Sequence, residues 1–359
     1  MLRLCLLLPL ASALSLGGVP APRRVGARTS TPLMGEGALI IQNKGGGHGE
    51  IGYHLALQLA SEKGMPVTIL HEGPNKGKAP HDSYGDLDAA GVKVIWCDDL
   101  SDADASIARL NGAEFAAVVD NWSKSPEQIE PYAQLAKGWG VKSYSYVSSA
   151  GMYTPPKGDF SPIDESCEVK SSGQRQAEQK LAELDLPYSC FRPQYIYGPK
   201  QGKSYLAGFF DRLSRGRPVP VPNAGDQLVT FTHAADNAAM VAAAVCNDKA
   251  VGEVFNCATS SLISYDELVA ACAKAAGVEA KIEHYDPKAL PEGVELPKGF
   301  FPFRDTPFYV SADKAVELLG FKPKHTILED INWYYADNYV KQGGKDKEVT
   351  FELDEKLIK

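Results

Sequence analysis

The sequence predicts an α/β protein, a doubly wound parallel sheet with a smaller C-terminal subdomain. Three observations carry that expectation. After Gly37, apolar runs of strand length alternate with amphipathic stretches of helix length, the pattern of βαβ units and a parallel sheet. A glycine cluster, Gly46-Gly47-His48-Gly49-Glu50-Ile51-Gly52, separates the first run from the first amphipathic stretch. The chain has 359 residues, 44% hydrophobic and 23% charged, enough for a large buried core.

The elements follow in chain order. Ala38–Gln42 reads as the first strand, with a helix around Tyr53–Lys63. Val67–Leu70, Val92–Trp96, Phe115–Asp120 and Ser143–Ser148 read as strands two to five, and Pro126–Trp139 as the helix before the fifth. A helix around Gln174–Glu183 leads to a sixth strand at Leu186–Phe191. The Pro- and Gly-rich stretch Gly216–Gly225 reads as a loop. Residues 35–199, rejoined by a returning segment 226–260, are expected to form the main domain. Residues 200–225 and 261–359 are expected to form the smaller subdomain.

Residues 1–34 read as a leader. Arg3 precedes the apolar run Leu4–Leu8, and Ala11-Ser12-Ala13 offers small residues for cleavage. A basic, hydroxyl-rich stretch follows, and no acidic residue occurs before Glu36. Such a bipartite leader resembles the presequences of algae with secondary plastids, pointing to the plastid stroma. Plain secretion fits badly, because the seven scattered cysteines form no disulfide framework or metal-ligand spacing. No run of eighteen apolar residues suggests a membrane span outside the N-terminus. Four Arg lie in the leader, so the remaining chain carries 33 basic against 45 acidic residues, a net of −12. General attraction to nucleic acid is thereby excluded, and any such contact needs a local basic patch.

The G-x-x-G-x-x-G spacing of the glycine cluster fits a Rossmann-type phosphate loop. The first glycine permits a tight turn, the second lets a phosphate approach backbone N–H groups, and the third lets helix and strand pack closely. Gly46, Gly47, His48, Gly49, Ile51 and Gly52 are therefore candidate cofactor contacts. An NAD site expects an acid ending the second strand. His71 stands at that position, with Glu72 one residue further as the candidate. Asp99 in Asp98-Asp99-Leu100 is a second candidate, with an alternative as part of a helix N-cap region.

These residues, with Val147-Ser148-Ser149-Ala150-Gly151, the run Phe191-Arg192-Pro193-Gln194-Tyr195-Ile196-Tyr197-Gly198-Pro199 and Thr232-His233-Ala234-Ala235-Asp236, resemble the extended short-chain dehydrogenase/reductases. That family includes sugar epimerases and dehydratases, and the resemblance spans nearly everything after Gly37. It implies Ser149 as the retained hydroxyl, beside a Tyr general acid/base and a Lys four residues later. The Lys ammonium would favour the phenolate. Taking Glu178 as the helical Glu of the pattern, the Tyr position is Lys170 and the Lys position is Gln174. Both members are missing. Hydride chemistry of the usual type is not expected, and an NAD(P)-dependent epimerase or reductase stands as the alternative.

The combination resembles an atypical plastid RNA-binding branch of that superfamily in plants and algae. Shared features are the G-G-H loop, Ser148-Ser149-Ala150-Gly151, Arg192-Pro193-Gln194-Tyr195, His284-Tyr285-Asp286-Pro287-Lys288 and Phe351-Glu352-Leu353-Asp354. The resemblance implies binding of stem-loop plastid mRNA and rRNA, association with ribosomes or transcription complexes, and endoribonuclease activity with a divalent metal such as Mg2+. It leaves NAD(P) as a vestigial ligand; metal ligands and oligomeric state stay open. The densest basic run, Lys200, Lys203, Arg212, Arg215 and Arg217, is interleaved with Tyr205, Phe209 and Phe210. Its cations are candidate phosphate contacts. The helical spacing of Leu206, Phe209, Phe210 and Leu213 also fits a core-facing stripe.

Overall fold

A computed structural model describes residues 35–73, 84–154 and 162–358. The leader expected over residues 1–34 lies outside the described residues. Met34–Lys359 forms one compact unit.

Seven strands form one sheet: β1 Ala38–Gln42, β2 Val67–Glu72, β3 Lys93–Cys97, β4 Ala117–Asn121, β5 Ser143–Val147, β6 Tyr188–Pro193 and β7 Glu253–Cys257. Their spatial order is β7-β6-β5-β4-β1-β2-β3, all parallel. The helices are α1 Ile51–Lys63, α2 Gly85–Ala89, α3 Ala103–Ala108, α4 Pro126–Trp139, α5 Gly173–Glu183, α6 Ala207–Leu213, α7 Ala234–Ala244 and α8 Tyr265–Ala276, with short ones beyond.

The central strand shows why the sequence makes this sheet. All five residues of β1 are buried, because helices cover both faces and the strand can be apolar throughout. Ala38 and Ile40 point to the layer holding Leu55 and Leu59 of α1 and Val241 of α7. Leu39 and Ile41 point to the layer holding Ile129 of α4 and Leu181 of α5. Each fully buried Leu or Ile contributes about 1.5–3 kcal/mol. Helix ends follow local chemistry: α1 stops at Gly64 in the left-handed conformation, and α4 runs from Pro126 at its first position to Gly140.

A third apolar cluster, including Phe209, Phe210, Val221, Leu268 and Tyr334, forms the smaller subdomain. Here one expectation is corrected. Val219–Pro222, inside the stretch read as a loop, is a strand pairing in parallel with Ile282–Tyr285. Its prolines are tolerated because the sheet has only two strands, each with a free edge. Leu228–Val229 pairs with Ile263–Ser264 in another small sheet outside the main one.

The chain reverses direction of growth between β1 and β4. That switch point opens a crevice at the carboxyl ends of the strands, where ligands bind in such folds. The glycine loop after β1, Asn121 ending β4 and Ser149 after β5 all stand there.

Candidate functional site: the crevice at the strand ends

The glycine loop has its expected place between β1 and α1. Gly46–His48 makes one 3-10 turn, and Gly45, Gly46 and Gly49 have φ of 67°, 56° and 54°, where side chains are disfavoured. Free N–H groups at a helix start attract phosphate. Here the Glu50 N–H, just ahead of α1, donates to the Lys200 carbonyl at 3.0 Å. A Cβ on Gly49 would stand 2.6 Å from that carbonyl, and one on Gly202 would stand 1.9 Å from the Gly46 oxygen. Backbone 200–202 therefore lies against the loop where a phosphate would approach. The Glu50 carboxylate adds a buried anion at the same helix end, taking hydrogen bonds from Gln42 Nε2 at 2.7 Å and from the Tyr84 hydroxyl.

The acids expected on the adenosine side are otherwise engaged. Glu72 accepts the Trp122 indole N–H. His71 is buried, with Nδ1 2.8 Å from the Glu72 carbonyl and its ring 4.4 Å from that of Trp96. Asp99 is exposed and shapes a turn by accepting from the Ser101 N–H and hydroxyl. The α3 cap is Asp102, 3.1 Å from the Ala105 nitrogen.

Around Ser149 the groups divide between structural and open roles. The Ser149 hydroxyl accepts the Gly151 N–H at 3.1 Å, capping a short turn. Tyr153 is fully buried, accepts from Arg192 at 2.7 Å and donates to Asn256 at 2.8 Å. Burial is the main reason its hydroxyl is pushed up to about 12. Arg192 also forms a two-pronged pair with Glu178, at 2.9 and 2.6 Å. Burial alone would raise the Glu178 pKa, but the Arg192 hydrogen bonds and charge outweigh it and the net shift is downward. Lys170 is exposed and holds the Met152 carbonyl through its backbone N–H. Gln174 sits in the first turn of α5.

Lys44 escaped the sequence reading, although it directly precedes the glycines. It is 3% exposed, donates to the Val147 carbonyl and lies 4.3 Å from the Tyr146 ring centre. Burial lowers its pKa to about 7. His48 points the same way, with Nε2 2.8 Å from the Ser148 carbonyl. Burial, then the Lys44 charge, holds the imidazole near pKa 3, so it stays neutral. A cavity of about 330 Å³ joins Lys44, His48, Gln174 and Lys124.

Asn121 is buried with both amide atoms unpaired, so the strand ends suit a polar ligand. At the α1 end the Glu50 N–H already has the Lys200 carbonyl as its acceptor. Among the described residues, one group has the spacing to hold a metal: His233, His325 and Asp330. The two rings stack at 3.8 Å. His233 Nδ1 accepts the Ala235 N–H, leaving the proton on Nε2, and Asp330 is shared by His325 and Tyr197. Two imidazoles and one carboxylate do not make the oxygen-rich shell of Mg2+.

The basic run from 200 to 217 is not a single free surface. Arg212 forms a bidentate pair with Asp354 at 2.7 and 2.8 Å. Arg215 donates to the Gly344, Lys345 and Lys347 carbonyls, and Arg217 pairs with Glu355 at 2.6 Å. Lys200 lies 4.6 Å from the Tyr53 ring centre, and Lys203 lies 4.8 Å from that of Tyr205. The aromatics Tyr205, Phe209 and Phe210 are core residues. The physical reason is the C-terminal Phe351–Asp354 segment, whose acids and ring fold back onto the arginines.

Fold and crevice together define a Rossmann-type α/β protein, with Lys170 and Gln174 at the positions read for the family's catalytic pair. The chain belongs to the NAD dependent epimerase/dehydratase family, whose model matches residues 45–258. It is 33% identical over 321 residues to the chloroplast stem-loop binding protein of 41 kDa b from Arabidopsis thaliana, covering 87% of this chain and 82% of that one. Among solved structures it resembles UDP-glucose 4-epimerase from Thermotoga maritima with UDP-glucose (TM-score 0.63, 18% identity, 84% of this chain, 99% of that one). It also resembles UDP-glucuronic acid 4-epimerase from Bacillus cereus in complex with NAD (TM-score 0.62, 18% identity, 85% and 98%). At such identity the solved structures speak to the fold alone.

Proposed function

We propose that this protein is a plastid RNA-binding protein that recognises stem-loop mRNA or rRNA on an epimerase fold without epimerase chemistry. The observation that carries the reading is the 33% identity to a chloroplast stem-loop binding protein over most of both chains. The crevice supports it from the other side. Lys170 and Gln174 stand for the missing Tyr and Lys, and the Lys200 carbonyl takes the N–H at the α1 start. The same reading extends to the plastid stroma and to ribosomes or transcription complexes as partners. Endoribonuclease activity remains within it, but the His233, His325, Asp330 group suits no Mg2+ and no cleavage step is drawn through it. NAD(P) stands in this reading as a vestigial ligand.

The test uses protein spanning residues 35–359. Affinity for a labelled stem-loop RNA is measured from 50 to 300 mM salt, with and without 1 mM NAD. We expect salt-dependent binding that NAD does not change, and no turnover of nucleotide sugars above background. Absence of RNA binding at 50 mM salt, or sugar turnover abolished by Ser149→Ala, would overturn the proposal.

A further inference from the structure

Three cavities adjoin across the crevice. The Lys44–Gln174 cavity shares Gly47 and His48 with a second of about 320 Å³, bordered by Ser149, Tyr195, Tyr205 and Arg304. The second shares Arg304 with a third of about 630 Å³, bordered by Lys170, Lys298, Phe303 and Tyr285. Cavities that share lining residues thus follow one another from Lys124 at one end to Lys298 at the other, and together they make a groove.

Its charge differs from that of the whole chain. Lys124, Lys170 and Lys298 are exposed, and no ion pair among the described residues engages them. Arg304 sits at the junction, with Nη2 3.0 Å from the Gly151 carbonyl and its guanidinium 3.5 Å from the Phe308 ring centre. Against these cations one acid borders the three cavities, Asp305. The missing patch of a net-acidic protein is thus in the groove rather than on α6.

We propose that this groove holds the unpaired loop nucleotides of an RNA, with Lys124, Lys170, Lys298 and Arg304 along the phosphates and Tyr195 toward the bases. The inference rests on the RNA-binding reading and assigns it a place. Cavities of 320–630 Å³ have the size of small-molecule sites. That size matches nucleotides of a single strand rather than a paired stem. Cations along a backbone with aromatic rings toward the bases are the usual means of holding single strands. Arg304, on Phe308 and bonded to backbone 151, is pre-set in position, so little side-chain entropy is lost on binding.

The test compares two triple variants of equal charge change. Lys124→Ala, Lys170→Ala and Lys298→Ala empty the groove. Lys142→Ala, Lys249→Ala and Lys274→Ala remove three exposed cations elsewhere. The probes are a stem-loop RNA with an eight-nucleotide loop and a blunt duplex of equal length. We expect the groove variant to lose at least tenfold in stem-loop affinity and to lower the salt slope by about 2, near 0.7 per phosphate contact. The control variant should change affinity less than threefold, and the duplex should bind wild type at least tenfold more weakly. Equal losses in both variants, or equal binding of duplex and stem-loop, would overturn the groove assignment while leaving RNA binding intact. Wild type without salt-dependent binding would instead overturn the RNA reading itself. Circular dichroism of both variants checks that they are folded.

Discussion

Replacing Arg212 by Ala tests whether the arginines of the 200–217 run serve the fold or an external partner. The Arg212 side chain is 13% exposed and its partner Asp354 is 5% exposed. The guanidinium also donates to the Gly208 carbonyl at 2.9 Å. An exposed ion pair contributes about 0–1 kcal/mol. Removing one partner of a buried pair costs about 3–5 kcal/mol, because the other charge is left desolvated and unpaired. The slight exposure of Arg212 puts this pair at the lower end, so Arg212→Ala is expected to lose about 3 kcal/mol. Guanidinium unfolding at pH 7 measures this as a lower midpoint. Asp354→Ala should cost a similar amount. The double variant should cost clearly less than the two singles together, as expected for groups in direct contact. RNA affinity of the folded Arg212→Ala protein should match wild type within about twofold. Stability within 0.5 kcal/mol of wild type, together with a tenfold loss of RNA affinity, would refute the reasoning and return Arg212 to the RNA-contacting set.

Two further outcomes follow from the glycine-loop region. Lys44 has a folded pKa of about 7, below its ordinary value, so the unfolded chain holds this proton more tightly and the group costs stability most below pH 7. That cost shrinks as pH rises through 7 toward 10. Lys44→Met should therefore be more stable than wild type at pH 6, with the difference narrowing by roughly 2–3 kcal/mol by pH 9; a difference independent of pH would refute the assignment. Gly202→Ala forces a Cβ against the Gly46 carbonyl and should cost about 2 kcal/mol or more, measured by thermal unfolding. An unchanged midpoint would mean that residues 200–202 do not pack on the loop.

The central sheet was legible because parallel strands buried on both faces leave long apolar runs: β1 and α4 have the bounds read from sequence. The ends of β4 and β6 were displaced by about two residues, because hydrogen bonds to neighbouring strands, and not composition, set where pairing starts. Val219–Pro222 was missed since its prolines signal turns, while its pairing partner is some sixty residues away. The glycine loop was readable as a local motif; what faces it was not. Nothing in the run Pro199–Gly202 announces that its carbonyl turns toward Glu50. The basic run suffered likewise, because its acid partners at 354 and 355 are over 130 residues distant. Lys298 and Arg304 come from a stretch without helix or strand periodicity, so only the folded chain brings them to the crevice.

The Lys200 carbonyl at the start of α1 has a consequence for how the protein is maintained. A protein that leaves such N–H groups for a nucleotide gains part of its stability from ligand binding, and the folded fraction follows ligand concentration. Here the acceptor is tethered in the same polypeptide, and tethering raises its effective concentration without a separate molecule. One N–H at the start of α1 is thereby satisfied within the folded chain, without a separate molecule.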